Sequence, residues 1–476
     1  MKRRKFIHNT AMLGGLAVLS PFDLLASDRI LFKSFPEVRI AKGKRNFESK
    51  FIEEAIKEFG ENVKDDELAW LFNNCFPNTL DTTVEFSEKN GRPETYVITG
   101  DIDAMWLRDS SAQVWPYMQF ANKDIALKKL IAGVINKQTE YILKDPYANA
   151  FYNDPNHKGE WTTDHTKMLP GVHERKYEID SLCYPIRLAY NYWKVTGDIK
   201  PFDKDWHNSI KSILKVFKDQ QEKDGTNPYS FQRTTNKASD TRSLQGYGYP
   251  VNPVGLICSA FRPSDDATVF SFLIPSNFFA VVSLKQAAEM IEEIIEDITL
   301  SKELLALSVE VESALKEHAT VNHPKYGEIY AFEIDGFGNS LLMDDANVPS
   351  LLSLPYLDAI DVNDPIYQNT RNFVWSNDNP FFFKGKAAEG IGGPHVGMDM
   401  IWPMAITMRG LTSTKPSEIE ECIDLLKATH GDTGFMHESF HKDNPKNFSR
   451  SWFAWANTLF GELLWKTYQM YPKLLK

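Results

Sequence analysis

Three carboxylates in two short stretches are placed to do acid–base work. Asp265 and Asp266 are adjacent in FRPSDDATVF, and Glu438 sits between histidines in HESFH. Other polar-aromatic loops add to them. TGDIDAMWLRDSSAQVWPY brings Asp103, Trp106, Arg108 and Asp109 together just before a helical pattern. YEIDSLCYP sets Asp180 beside Glu178 at a helix entrance, and GIGGPHVGMDMIWP offers His395, Asp399 and Trp402 on a glycine-rich approach. Carboxylates and arginine grip hydroxyls by charge-assisted hydrogen bonds, and flat rings cover the apolar faces of pyranoses. Two carboxylates in the right roles suffice to cleave a glycosidic bond. Taken singly, each of these residues has a plain structural alternative. Asp109 could be a helix N-cap, and Trp106 and Trp402 could be core aromatics. The ensemble, not any one member, points to a carbohydrate site.

HESFH also spells His-Glu-x-x-His, which binds zinc when both histidines lie one turn apart on a helix with the glutamate as base. The context is wrong for that helix. Gly431-Asp432-Thr433-Gly434 precedes it, Lys442-Asp443-Asn444-Pro445 follows, and no third ligand has zincin spacing. Glu438 therefore reads as a lone carboxylate on a loop facing a cleft, with no metal.

Most of the chain consists of amphipathic segments that must hold these loops. Helices are predicted over 48–60, 64–74, 109–120, 123–144, 178–195, 203–222, 276–296, 300–318, 349–358, 365–376, 397–410, 416–430 and 450–470. In 123–144, Ile125, Leu127, Leu130, Ile131, Val134, Ile135, Tyr141 and Ile142 recur at helical spacing. Only 82–86 and 95–98 alternate like strands. About a dozen helices without an evident linker or a fixed repeat suggest helical hairpins closed into a toroid, with loops of one rim converging at its centre.

The composition is that of a globular chain of 476 residues, 42% hydrophobic and 25% charged, with 13% aromatics. A net charge of −11 and the lack of a basic tract in the body of the chain argue against nucleic acid as partner. The N-terminus reads MKRRKFI, then the short apolar run AMLGGLAVL, then Ala26-Ser27. This is expected to be an export signal over residues 1–27, twin-arginine-like, with residues 28–476 as one catalytic domain. The expected location is periplasmic, with no stable membrane insertion once the signal is removed. Cys75, Cys183, Cys258 and Cys422 have no framework spacing and are expected to be buried free thiols.

TGDIDAMWLRDS, YEIDSLCYP, RPSDDA, GPHVGMDMIWP and FMHESF, in this order, resemble glycoside hydrolase family 125, over roughly residues 46–473. The resemblance implies an all-α (α/α)6 barrel with minor short strands. It also implies a metal-independent, cofactor-free exo-α-1,6-mannosidase that inverts the anomeric centre and acts on mannose-containing oligosaccharides such as N-glycan or mannan fragments. Its general base falls on Glu438. Its general acid falls in the RPSDD loop, on Asp265 or on Asp266, and Asp265 is the assignment adopted. Asp103, Trp106, Arg108, Asp109, Asp180, Asp266, His395, Asp399 and Trp402 are the candidates for holding the sugar. Asp266, together with burial beside Phe261 and Phe270, is expected to raise the pKa of Asp265. The rival readings are a glycosidase of similar barrel shape with another sugar specificity, and a non-catalytic glycan-binding protein of the cell envelope. Hydrolytic activity should survive EDTA; its loss on chelation would revive the zinc reading.

Overall fold

The computed structural model describes residues 35–475, so the expected export signal lies outside the described residues. Its α-helices are α1 (Lys50–Asn62), α2 (Asp66–Cys75), α3 (Asn78–Thr82), α4 (Leu107–Val114), α5 (Ile125–Lys144), α6 (Ile179–Thr196), α7 (Lys204–Asp219), α8 (Ile274–Met290), α9 (Ile298–His318), α10 (Pro365–Val374), α11 (Pro403–Leu411), α12 (Pro416–Ala428) and α13 (Ala454–Met470). They fall into two layers.

The inner layer is α4, α6, α8, α11 and α13. Every residue of α4 is buried, and α13 is buried without a break from Ala454 to Trp465. Helices apolar or buried all round belong inside a fold. α4 packs between α6 and α13, α6 packs on α8, and α11 packs on α13. Around them lie amphipathic partners: α5 on α6 and α7, α9 on α8, and α12 on α11 and α2.

The helix starts differ between layers. Ser49, Asp65, Asp124, Asp203, Asp297 and Asp364 cap six outer helices by accepting first-turn N–H groups. The residues before the inner helices are Trp106, Glu178, Leu273, Trp402 and Phe453, and none makes a side-chain cap. At three of these starts a two-residue strand takes over the anchoring. Met105–Trp106 pairs with Ala150–Phe151, Phe272–Leu273 with Glu333–Ile334, and Met400–Ile401 with Phe440–His441, all antiparallel. These small sheets fix where α4, α8 and α11 begin.

Most expected helices are present within a few residues, and the differences have local causes. Residues 349–358 form turns, not a helix. There the buried carboxylate of Asp344 takes the N–H groups of Leu351 and Leu352 at 2.8 and 3.0 Å, and Ser350 and Ser353 bond each other's backbone N–H. Such side-chain bonds compete with the helical ladder. The turns touch the inner layer from two sides, because Arg187 of α6 donates to the Tyr356 carbonyl and the Tyr356 hydroxyl donates to Glu462 of α13. Helix 397–410 starts only at Pro403, because Met400–Ile401 is committed to its strand pairing. The two expected strands extend into one hairpin, Val84–Lys89 with Arg92–Val97, whose turn residues Asn90 and Gly91 both have positive φ. All four cysteines are unpaired and buried, as expected. Among the described residues no helix is long and apolar enough to cross a membrane.

Burial pushes the Asp344 carboxyl up to about 8, with the neighbouring Asp345 adding to it and the Leu351 and Leu352 N–H groups opposing it. A folded-state pKa above the unfolded value means that the folded protein holds the extra proton. This contribution therefore lowers stability as pH rises from about 4 to about 8, by at most about 1.4 kcal/mol per pH unit. Asp344→Asn should flatten that decline in urea-unfolding free energies measured across the window; an unchanged slope would contradict the assignment.

Candidate active site

Loops at the starts of the inner helices enclose one polar hollow with a cavity volume of about 60 Å³. Its lining includes Asp265 and Glu438, residues 173 positions apart, together with Trp106, Trp402, His395, Arg108 and Asp109. Each is placed by a specific local device.

Asp265 sits in the left-handed region, at φ +63°, inside a tight loop. The loop is closed by Asp265 N–H donating to the Arg262 carbonyl at 2.9 Å and Arg262 N–H to the Asp266 carbonyl at 2.8 Å. Buried Glu333 braces it, pairing with Arg262 Nε at 2.6 Å and accepting the N–H groups of Val269 and Phe270. The left-handed residue is the pivot that turns Asp265 and Asp266 apart. Asp265 looks into the hollow. Asp266 is buried behind it, 3.5 Å from Lys237 Nζ and 3.7 Å from His395 Nδ1, and does not line the hollow.

Glu438 lies on the loop before strand Phe440–His441. Asn457 of α13 anchors that loop by accepting the Met436 N–H at 2.8 Å, and Phe453 N–H bonds the Met436 carbonyl. Ser449 Oγ donates to Glu438 Oε2 at 2.7 Å, and Arg450 Nε lies 3.6 Å from Oε1, so both carboxylate oxygens are held. The letters of the zinc motif do not form a zinc helix. His437 is fully buried, stacks on Phe448 at 3.9 Å, and turns both ring nitrogens to backbone carbonyls of Arg450, Ser451 and His430. It is a packing residue that stiffens the loop.

Arg108 forms the charged floor. Its guanidinium, 3% exposed, lies 2.5 Å from Glu178, 3.1 Å from Asp180, 3.2 Å from Asp265 and 3.5 Å from Asp109. Asn149 Nδ2 gives Asp265 a further hydrogen bond at 3.2 Å, and Thr99 Oγ1 donates to Asp109 at 2.7 Å. Burial raises the Asp109 carboxyl against the pull of Arg108, and lifts Asp180 to about 6.

The expectation that Asp265 has a raised pKa is corrected. Burial does push it upward, but Arg108 and Lys176 outweigh burial and hold it below the ordinary carboxylate range. Asp266, the expected cause of the rise, faces His395 and Lys237 instead. Its own pKa falls to about 2, because the His395 and Lys237 interactions overcome burial.

Of the sugar-binding candidates, Trp106, Arg108, Asp109, His395 and Trp402 line the hollow. Asp103 is exposed outside the lining. Asp399 is half-exposed 3.8 Å from Lys442, with its carbonyl taken by the Lys442 N–H. Asp180 and Asp266 are buried one layer behind. Trp106 and Trp402 are largely buried, and among the described residues neither indole N–H has a partner. Sequence reasoning missed Arg450, Phe453 and Trp455, which also line the hollow. The stretch RSWFAW has the same cation-and-aromatic signature as the other loops but was absorbed into the predicted helix 450–470.

With this geometry in view, the chain can be set beside known proteins. Residues 65–465 match the family model of metal-independent alpha-mannosidases, GH125. The Meiotically up-regulated gene 157 protein of Schizosaccharomyces pombe is 41% identical over 461 residues, covering 93% of this chain and 90% of that one. A metal-independent α-mannosidase of Streptococcus pneumoniae, solved in a non-productive complex with α-1,6-mannobiose, superposes with a TM-score of 0.85 at 43% identity, covering 89% of this chain and 99% of that one. A rhamnosidase of Bacillus sp. GL1 shares the fold alone, at a TM-score of 0.52 and 10% identity over 84% of this chain and 34% of its own. The two helical layers are thus those of an (α/α)6 fold.

Arg108 supports several buried carboxylates at once, so Arg108→Gln should cost about 3–5 kcal/mol of stability at neutral pH. Carboxylates left without their cation have higher folded-state pKa values than in the parent, so the cost shrinks as pH falls and they take up protons. Urea unfolding at pH 8 and pH 5 checks this; equal losses at both would contradict the charge pairing.

Proposed function

The chain belongs to the metal-independent α-mannosidase family GH125 and is a glycoside hydrolase, and on that premise we propose that it removes non-reducing terminal α-1,6-linked mannose with inversion. Asp265 is the general acid and Glu438 the general base. The observation that carries this reading is that two carboxylates from distant parts of the chain face one hollow, each fixed by its own hydrogen-bond set. The α-1,6-mannobiose held by the Streptococcus pneumoniae relative supports the linkage. Mannose-containing oligosaccharides are the substrate class.

In this reading the terminal mannosyl unit lies between Trp106 and Trp402. Arg108, Asp109 and His395 take its hydroxyls by charge-assisted bonds. Asp265 gives a proton to the glycosidic oxygen as the bond to C1 breaks. A water on the opposite face attacks C1 and yields its proton to Glu438, whose direction is set by Ser449 and Arg450. One water is consumed, and the sugar leaves with its anomeric configuration reversed. Exo action belongs to the same reading, in which the buried Arg108 and Asp109 of the lining form the closed end of the hollow. Export to the periplasm belongs to the same proposal and rests on the sequence of residues 1–27.

Release of β-mannose first from α-1,6-mannobiose, followed by NMR before mutarotation, is the expected result. Predominant α-mannose at early times would refute inversion.

A further inference from the structure

An acid that protonates a glycosidic oxygen must first hold a proton, yet Asp265 is bound to Arg108 and Asn149 at 3.2 Å each. The surroundings show where a proton can be kept. Four carboxyls, Glu178, Asp180, Asp265 and Asp109, lie within 3.5 Å of the one Arg108 guanidinium. The next cation, Lys176, is engaged by Glu174 at 3.3 Å and Asp240 at 2.7 Å, and His395 faces Asp266. Among the described residues Arg108 is the one cation within 4 Å of any of the four, and a single buried guanidinium cannot keep four carboxyls ionised, so at least one retains a proton.

Glu178 is the carboxyl built to keep it. Its side chain is wholly buried. Oε2 accepts from Arg108 Nη1 and from Ser181 Oγ at 2.8 Å, while Oε1 is buried with no partner among the described residues. A bare buried carboxylate oxygen is costly, and a proton placed there removes the cost. Glu178 and Asp265 approach the same guanidinium from its two terminal nitrogens, Glu178 on Nη1 and Asp265 on Nη2. Asp265 alone of the two reaches the hollow.

We propose that Glu178 is a positioning residue that stores the proton Asp265 delivers, passing it to the Asp265 carboxyl held on the same guanidinium as the glycosidic oxygen arrives. This rests on Asp265 being the general acid. Burial, against Arg108, raises the Glu178 carboxyl well above the ordinary range while Asp265 is held below it, so the proton rests on Glu178. The step balances. The Glu178 O–H bond breaks as the Asp265 O–H bond forms. Asp265 then passes the proton to the departing oxygen, and Glu438 takes one from the attacking water. Solvent carries that proton back to the Glu178–Asp265 pair after product leaves.

The test compares α-1,6-mannobiose, whose leaving group needs a proton, with 2,4-dinitrophenyl α-mannoside, whose leaving group does not. Glu178→Gln should lower kcat on mannobiose about 100-fold and move the basic limb of its pH profile down by at least about one unit, with the aryl mannoside within about threefold of the parent. Asp265→Asn should show the same split between substrates. If Asp265→Asn slows both substrates alike, Asp265 is not the acid. If Asp265→Asn splits them while Glu178→Gln slows both alike without moving the limb, or slows neither, the storage role is overturned and Asp265 stands. Should Glu178→Gln fail to fold, the parent decides. Its mannobiose activity should be lost only well above the ordinary carboxylate range, with no such limb on the aryl mannoside; a limb near the ordinary aspartate range of about 4 would overturn the proposal.

Discussion

The guanidinium of Arg108 is the interaction on which the rest of the site depends. It joins carboxyls from the start of α4, the start of α6 and the loop before α8, segments that are far apart in the chain. Taking one such charge out of water costs several kcal/mol, and only a dense set of partners offsets it. The consequence is mutual. The carboxyls hold Arg108 in place, and Arg108 ties together the starts of the inner helices that carry them. A site assembled this way is rigid, because shifting any one member leaves a buried charge without its counterpart.

The two layers of helices serve that arrangement by opposite means. Six outer helices begin with Ser or Asp caps that satisfy their own first turns. Inner helices begin with Trp, Glu, Leu, Trp and Phe, and those starts gather at the hollow, where Trp106, Trp402 and Phe453 line it. The positive ends of several helix dipoles therefore face a region crowded with carboxylates, which favours their charged forms. Three of the residues in the cap positions, Trp106, Trp402 and Phe453, are large and wall the hollow.

Much of this was legible in the sequence. Long helices with a 3.6-residue apolar period were found within a few residues, since that pattern is set by burial of one face. Asp265, Glu438, Trp106, Arg108, Asp109, His395 and Trp402 stood out because polar and aromatic residues clustered where helix connectors needed neither. Other features left no trace in the pattern. Strands of two residues have no period to detect. The turns at 349–358 depend on Asp344, a residue several positions upstream, catching their N–H groups. Which of Asp265 and Asp266 faces the hollow hinges on one left-handed backbone angle, and the sign of the Asp265 shift hinges on Arg108 arriving from 157 residues away. Contacts of that kind come from the fold, not from neighbouring letters.

The most direct measurement is a crystal structure with a sulfur-linked α-1,6-mannobiose, which resists hydrolysis, seated in the hollow. The account predicts the Asp265 carboxyl within hydrogen-bonding distance of the bridging sulfur. It places Glu438 on the opposite face of the terminal ring with a water between it and C1, the two carboxyls about 6.5–9.5 Å apart. Both carboxyls on one face of the ring, or Asp266 in place of Asp265 at the bridge, would contradict it.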